Sequence, residues 1–119
     1  MLQIVPQMKI YLAVEPIDFR CGIESLGGIC KNVLKKDPFS GYLFLFTNKS
    51  KIGIKVLVYD EQGFWLCYKR FSKGKLKWWP SNKQYLSNDI ELNSVELQNL
   101  LMNINPKKQR HETFREFKV

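Results

Sequence analysis

One histidine, three scattered cysteines and no long apolar run mark this chain, and each scarcity removes a class of function. His111 sits near the carboxyl end with no second ligand at a metal-binding spacing, so neither a histidine-based active site nor a zinc site is expected. Cys21, Cys30 and Cys67 are odd in number and lack a C-x-x-C pair, which rules out a disulfide framework and leaves them as reduced, small core residues. The longest apolar runs, residues 42–46 and 56–59, fall far short of the ~20 residues that span a bilayer, and the start lacks a signal-peptide layout. A cytoplasmic protein without a membrane partner is the expectation. There is no Walker loop, no G-x-G-x-x-G and no G-x-S-x-G, so no cofactor is expected either.

Carboxylates remain as candidates for catalysis. Two-metal phosphoryl transfer needs several of them converging from strand ends, and Asp18, Asp37 and Asp60 qualify only by flanking predicted elements. Each has a simpler role: Asp18 as a helix N-cap, Asp37 as a helix terminator before proline, Asp60 as a turn opener. A metal-dependent nuclease is therefore the minor reading, and no catalytic residue is assigned.

What the chain does have is positive charge, and it is local. The formal net charge is +8, yet residues 48–83 alone hold nine basic residues against two acidic ones, while residues 84–103 hold three acids and no base. A basic middle attracts polyanions, because Lys and Arg placed on phosphates release condensed counterions. A solvated lysine-rich face is the competing explanation.

At 119 residues the chain fits one domain. The expected organisation is a leader at 1–7, a single domain at 8–104 and a basic, flexible tail at 105–119. Residues 8–14 are rich in β-branched and aromatic types and read as a first strand. After Asp18, apolar Phe19, Ile23, Leu26, Ile29, Cys30, Val33 and Leu34 recur at three- and four-residue steps, predicting an amphipathic helix that stops at Lys35-Lys36 before Asp37-Pro38. Gly27-Gly28 inside it suggests close approach to a sheet. Short strands follow at 42–47, 54–59, 64–71 and 75–79, separated by Asp-Glu-Gln-Gly and Ser-Lys-Gly turns, so an antiparallel meander is predicted. A second short helix opens at Asn93 or Ser94 and precedes Pro106. The fold class is thus α+β, with one main helix on a four- to five-stranded, mainly antiparallel sheet and a short carboxyl-terminal helix.

Aromatic and basic residues interleave from Phe64 to Trp79. A sheet face of this mixture stacks bases and neutralises phosphates in single-strand and RNA-binding proteins. Alternation instead makes Phe64, Trp65 and Tyr68 core residues, because both faces of the strand then carry apolar groups. Lys69, Arg70, Lys73, Lys75 and Lys77 remain as anion contacts, clustered beside a glycine turn at a hairpin end.

The segments Asp18-Phe19-Arg20-Cys21-Gly22, Asp37-Pro38-Phe39-Ser40-Gly41, Ile54-Lys55-Val56-Leu57, Gly63-Phe64-Trp65-Leu66-Cys67-Tyr68-Lys69-Arg70 and Trp79-Pro80, in this order, resemble the small accessory protein, the Orf2 or TnpB-type product, of IS66-type insertion sequences. The likeness covers roughly residues 8–104. The charge that the pattern carries at position 21 and at 52–53 is missing here, while Arg20, Lys55, Lys69 and Arg70 match. The resemblance implies a bacterial factor that assists DNA transposition beside a separate, larger transposase. It leaves two main readings open. In one, Arg20, Lys55, Lys69, Arg70, Lys73, Lys75 and Lys77 bind the DNA of the element ends. In the other, Asp37, Pro38, Phe39, Ser40 and Gly41, with the aromatic hairpin, dock on the transposase of the same element.

Overall fold

The computed structural model describes residues 8–81 and 85–107; the predicted leader, His111 and the tail beyond residue 107 lie outside the described residues. Its elements are β1 (Ile10–Ala13), α1 (Ile23–Asn32), β2 (Leu43–Phe46), β3 (Gly53–Tyr59), β4 (Phe64–Arg70), β5 (Asp89–Leu92) and α2 (Ser94–Leu101). They build one five-stranded sheet in the order β4-β3-β2-β1-β5. The β1–β2 pair is parallel, with α1 in the crossover between them, and the other three pairs are antiparallel. The fold is α+β. Among the described residues no helix is long and apolar enough to cross a membrane.

Both faces of the sheet are covered, which is why β2 (LFLF) and most of β3 are buried and read as continuous apolar runs. Alternation sends Phe44, Phe46 and Leu57 to one face, where they pack with Ala13 and with Leu26, Cys30 and Leu34 on and just beyond α1. The opposite face gathers Ile10, Leu12, Leu43, Leu45, Ile54, Val56 and Val58 beneath Leu97 and Leu100 of α2 and beneath Leu76 and Trp79. Each such large side chain contributes about 1.5–3 kcal/mol when fully buried. A capping box opens α2: Asn93 Oδ1 accepts the Glu96 N–H at 2.8 Å, and Glu96 Oε1 accepts the Asn93 N–H at 2.9 Å.

Helix α1 departs from expectation at its start. Its N-cap is Gly22, not Asp18, and its first bond runs from the Leu26 N–H to the Gly22 carbonyl. Asp18 instead accepts the Arg20 N–H two residues on, at 2.8 Å, while the Cys21 N–H returns to the Asp18 carbonyl. The carbonyls of Phe19 and Cys21, which a longer helix would use internally, accept from the Lys55 ammonium. A tertiary contact has shortened the helix by a turn. At the other end Lys35 turns left-handed (φ 58°) and the Lys36 N–H returns to the Cys30 carbonyl, so the helix closes before Asp37-Pro38 is reached. Lys36 then lies over the Tyr11 ring and 2.8 Å from Asp89 Oδ2, an ion pair without hydrogen-bond alignment that ties the helix end to β5.

The glycine pair does not serve close packing on the sheet. A Cβ at Gly27 meets only Pro38 at 3.9 Å, and one at Gly28 meets nothing within 4 Å. Gly28→Ala is therefore expected to raise stability by about 0.5–1 kcal/mol, through helix propensity and a less flexible unfolded chain, read as a higher urea midpoint at unchanged slope.

Residues 75–79 are not a strand. Their hydrogen bonds go elsewhere: the Leu76 N–H to the Lys51 carbonyl, the Lys77 N–H to Asn103 Oδ1, and the Trp79 indole N–H to the Ala13 carbonyl. Burial of Leu76 and Trp79 draws this segment across the α2 face, and the fifth strand comes from Asp89–Leu92 on the far side of β1.

Candidate nucleic-acid interface

The β3–β4 ladder runs from the Gly53–Arg70 pair at one end to the Tyr59–Phe64 pair at the other. At the first end two loops meet. The loop before β3 is a tight turn in which the Lys51 N–H bonds the Asn48 carbonyl (3.0 Å) and Lys51 is left-handed (φ 56°). The loop after β4 turns at Gly74 (φ 71°). Backbone bonds join them, from the Phe71 N–H to the Ile52 carbonyl at 3.0 Å and from the Leu76 N–H to the Lys51 carbonyl at 2.8 Å. Asn103, beyond α2, clamps the second loop by donating to the Lys75 carbonyl at 3.0 Å and accepting the Lys77 N–H at 2.8 Å.

This end therefore presents Lys49, Arg70, Lys73, Lys75 and Lys77 as exposed cations, with Lys51 half-buried among them. No carboxylate occurs in the sequence between residues 38 and 59 or between 62 and 88. Lys49 and Lys51 were absent from the site expected from sequence. The signal for them was the local charge excess, but their place beside Lys73 and Lys75 depends on the loop pairing.

Three of the expected cations have structural duties. Lys55 is buried, with its ammonium 2.5 Å from the Phe19 carbonyl and 3.0 Å from the Cys21 carbonyl, between the rings of Phe19 and Tyr68. Its ammonium is turned to two oriented carbonyls and away from solvent. Lys69 is exposed, but its ammonium donates to the Leu101 carbonyl at the negative end of the α2 dipole. Arg20 grips Asp18 through Nε and Nη2, at 2.7 Å for the shortest bond. Those bonds hold the Asp18 carboxyl down to about 2, so it stays charged beside the guanidinium.

The tryptophans do not form a stacking face with the cations. Trp79 is buried and Trp78 half-buried against the core. Trp65 and Tyr68, expected in the core, are 45% and 47% exposed because β4 is an edge strand with no neighbour to cover them. Trp65 leans away from the basic end, donating to Asp60 Oδ2 at 2.7 Å. Asp60 also accepts the Gln62 and Gly63 N–H groups, which lowers its carboxyl from the usual range. Among the described residues no three metal-ligating side chains come together.

The Asp37 to Gly41 segment lies at the opposite end of the hairpin. Asp37 Oδ1 accepts the Phe39 N–H (2.9 Å), Ser40 Oγ accepts the Tyr42 N–H (3.2 Å), Pro38 is buried and Gly41 is left-handed (φ 85°). This self-bonded turn holds Phe39 59% exposed, 5.0 Å from the Tyr59 ring and 5.2 Å from that of Phe64. The structure thus separates the two sets of expected contacts to the two ends of one hairpin.

Comparison with known proteins agrees with the motifs. Residues 8–111 match the family described as IS66 Orf2 like protein. The uncharacterized protein y4hO of Sinorhizobium fredii is 35% identical over 114 residues, covering 94% of this chain and 93% of its own. A second uncharacterized protein of that organism, y4jC, is 31% identical over 68 residues, 57% of this chain and 58% of its own. No solved structure matches.

Proposed function

Because the chain belongs to the IS66 Orf2-like family, whose members are insertion-sequence accessory proteins, we propose that it assists DNA transposition in the bacterial cytoplasm by holding nucleic acid on the basic end of its sheet. The observation that carries this reading is the gathering of Lys49, Lys51, Arg70, Lys73, Lys75 and Lys77 on and beside two bonded loops that contain no carboxylate, with Asp18, beside Lys49, already paired with Arg20. Exposed ammonium groups on a short, clamped framework meet phosphates at little ordering cost. Contacts of this kind rest on the nucleic-acid backbone, so binding shows little sequence preference. The strand-transfer chemistry belongs to the separate transposase, and no residue of this chain is given a catalytic role.

The test is fluorescence anisotropy with labelled element-end DNA, duplex and single-stranded, across a salt series. The protein is expected to bind with a Kd that weakens steeply with salt, and changing Lys49, Lys73, Lys75 and Lys77 together to alanine is expected to weaken binding at least about tenfold. The log–log salt slope on duplex should become shallower by about 0.9 for each phosphate that the variant no longer neutralises. Absence of binding at low salt would sink this reading. A second reading, an adaptor docking on the transposase, is favoured by one observation, the exposed Phe39 held over Tyr59 and Phe64. It requires nuclease-resistant co-purification with the transposase that Phe39→Ala weakens.

A further inference from the structure

Strand β4 is an outer strand of the sheet, and its second edge carries no neighbouring strand among the described residues. The bonds from the Asp60 N–H to the Gly63 carbonyl and from the Phe71 N–H to the Ile52 carbonyl set the phase of the ladder: Trp65, Cys67 and Lys69 turn their backbone groups to β3. Phe64, Leu66, Tyr68 and Arg70 therefore point N–H and C=O outward. Sheet edges are usually blunted by proline, a bulge or charge, and β4 has seven residues in unbroken register without a proline or a bulge. Its only protection is cationic, and it is confined to one half.

That asymmetry selects the partner. The amino-terminal half of β4 is aromatic and apolar (Phe64, Trp65, Leu66) and follows the acidic turn Asp60-Glu61, while the other half is cationic (Lys69, Arg70) and leads to Lys73. A parallel copy would set cation against cation. An antiparallel copy about a two-fold axis, in the one register that uses all seven residues, sets Lys69 opposite Trp65 and Arg70 opposite Phe64, with Glu61 of each copy near Lys73 of the other. Every cation then faces a ring or a carboxylate.

We propose that two copies of this chain join β4 to β4, antiparallel and centred on Cys67, into one continuous sheet. Leu66 and Tyr68 exchange backbone bonds across the axis, so the two Cys67 residues form the intervening non-hydrogen-bonded pair, whose Cα atoms sit about 4.5 Å apart, within disulfide reach. The pairing draws Arg70 and Lys73 of the proposed nucleic-acid surface into the seam, and its test needs no DNA. The exposed Lys49, Lys75 and Lys77 lie outside the joined strands, and the two basic ends fall on opposite sides of the axis.

The test uses the full chain without DNA. Sedimentation velocity is expected to show a dimer. Diamide, which takes two electrons and two protons from a pair of thiols, is expected to link the chains covalently in the wild type and in Cys21→Ser/Cys30→Ser, but not in Cys67→Ser, which still sediments as a dimer. Glu61→Lys is expected to weaken the dimer about fivefold, and adding Lys73→Glu to restore it, because only the two-fold arrangement brings these residues together. A monomer at every concentration, a cross-link that survives Cys67→Ser, or a failure of the charge swap to restore the dimer overturns the proposal.

Discussion

Gly53→Ala is expected to lower the stability of the protein by about 2–3 kcal/mol, in the upper range for overpacking a tight interior. A Cβ built at Gly53 would lie 2.4 Å from the Lys69 carbonyl oxygen, 2.8 Å from Cε1 of the Tyr68 ring and 3.1 Å from the Arg70 Cα. Tyr68 could swing aside, but the other two atoms are backbone. The strands must separate where the ladder begins, and the bond from Thr47 Oγ1 to the Gly53 carbonyl, 2.8 Å and buried, is disturbed with them. Urea unfolding gives the magnitude. Because the loops that carry Lys49, Lys51, Lys73 and Lys75 are joined immediately beyond this pair, the folded variant should also show faster amide exchange at Phe71 and Leu76, whose N–H groups close the junction. A variant with wild-type stability would mean that β4 yields at no cost and that Gly53 is not what holds the strands this close.

Lys55→Met should cost about 2–3 kcal/mol while leaving DNA affinity of the folded protein unchanged. The methionine keeps an unbranched stem to pack between Phe19 and Tyr68, whose rings meet edge to face at 5.1 Å, but it removes the donor that satisfies two carbonyls. Hydrogen bonds to a charged group contribute about 1.5–3 kcal/mol, and carbonyls stranded in a part-buried site add their own desolvation cost. The loop that holds Asp18 and Arg20 loses its anchor, so their bidentate pair should become mobile, visible as a changed Arg20 Nε resonance. Anisotropy measured beside the unfolding curve separates the two roles of a lysine: a large loss of affinity in folded Lys55→Met would return it to the phosphate-contacting set.

The amphipathic spacing from Ile23 to Leu34, the turn chemistry at Asp60 and Gly63 and the cap at Asn93 are each local, and each predicts its element because the bonds concerned span a few residues. The failures share the opposite property. Asp18 is a good N-cap by residue type, but Lys55, far along the chain, takes the carbonyls that a longer helix would have used. Residues 75–79 have the composition of a strand, but Asn103 and Lys51 take their backbone groups and Leu76 and Trp79 are drawn into the α2 face. Alternation puts apolar groups on both faces of β4, as found, yet no pattern says that a strand lies at an edge, and the edge exposes Trp65 and Tyr68.

By itself the sequence determined the class of fold, the family motifs and the existence of a basic middle segment, since composition, periodicity and turn residues act over short range. Which ammonium groups the fold engages was decided only by the tertiary structure. Lys55 and Lys69 carry the same charge as Lys73 and Lys75, but a long side chain commits its ammonium to whatever acceptor the fold places within reach, and for the first pair those acceptors are backbone carbonyls more than 30 residues away. The same long-range pairing brought Lys49 and Lys51 beside Lys73 and Lys75, set the aromatic turn at the other end of the hairpin and left β4 with an open side.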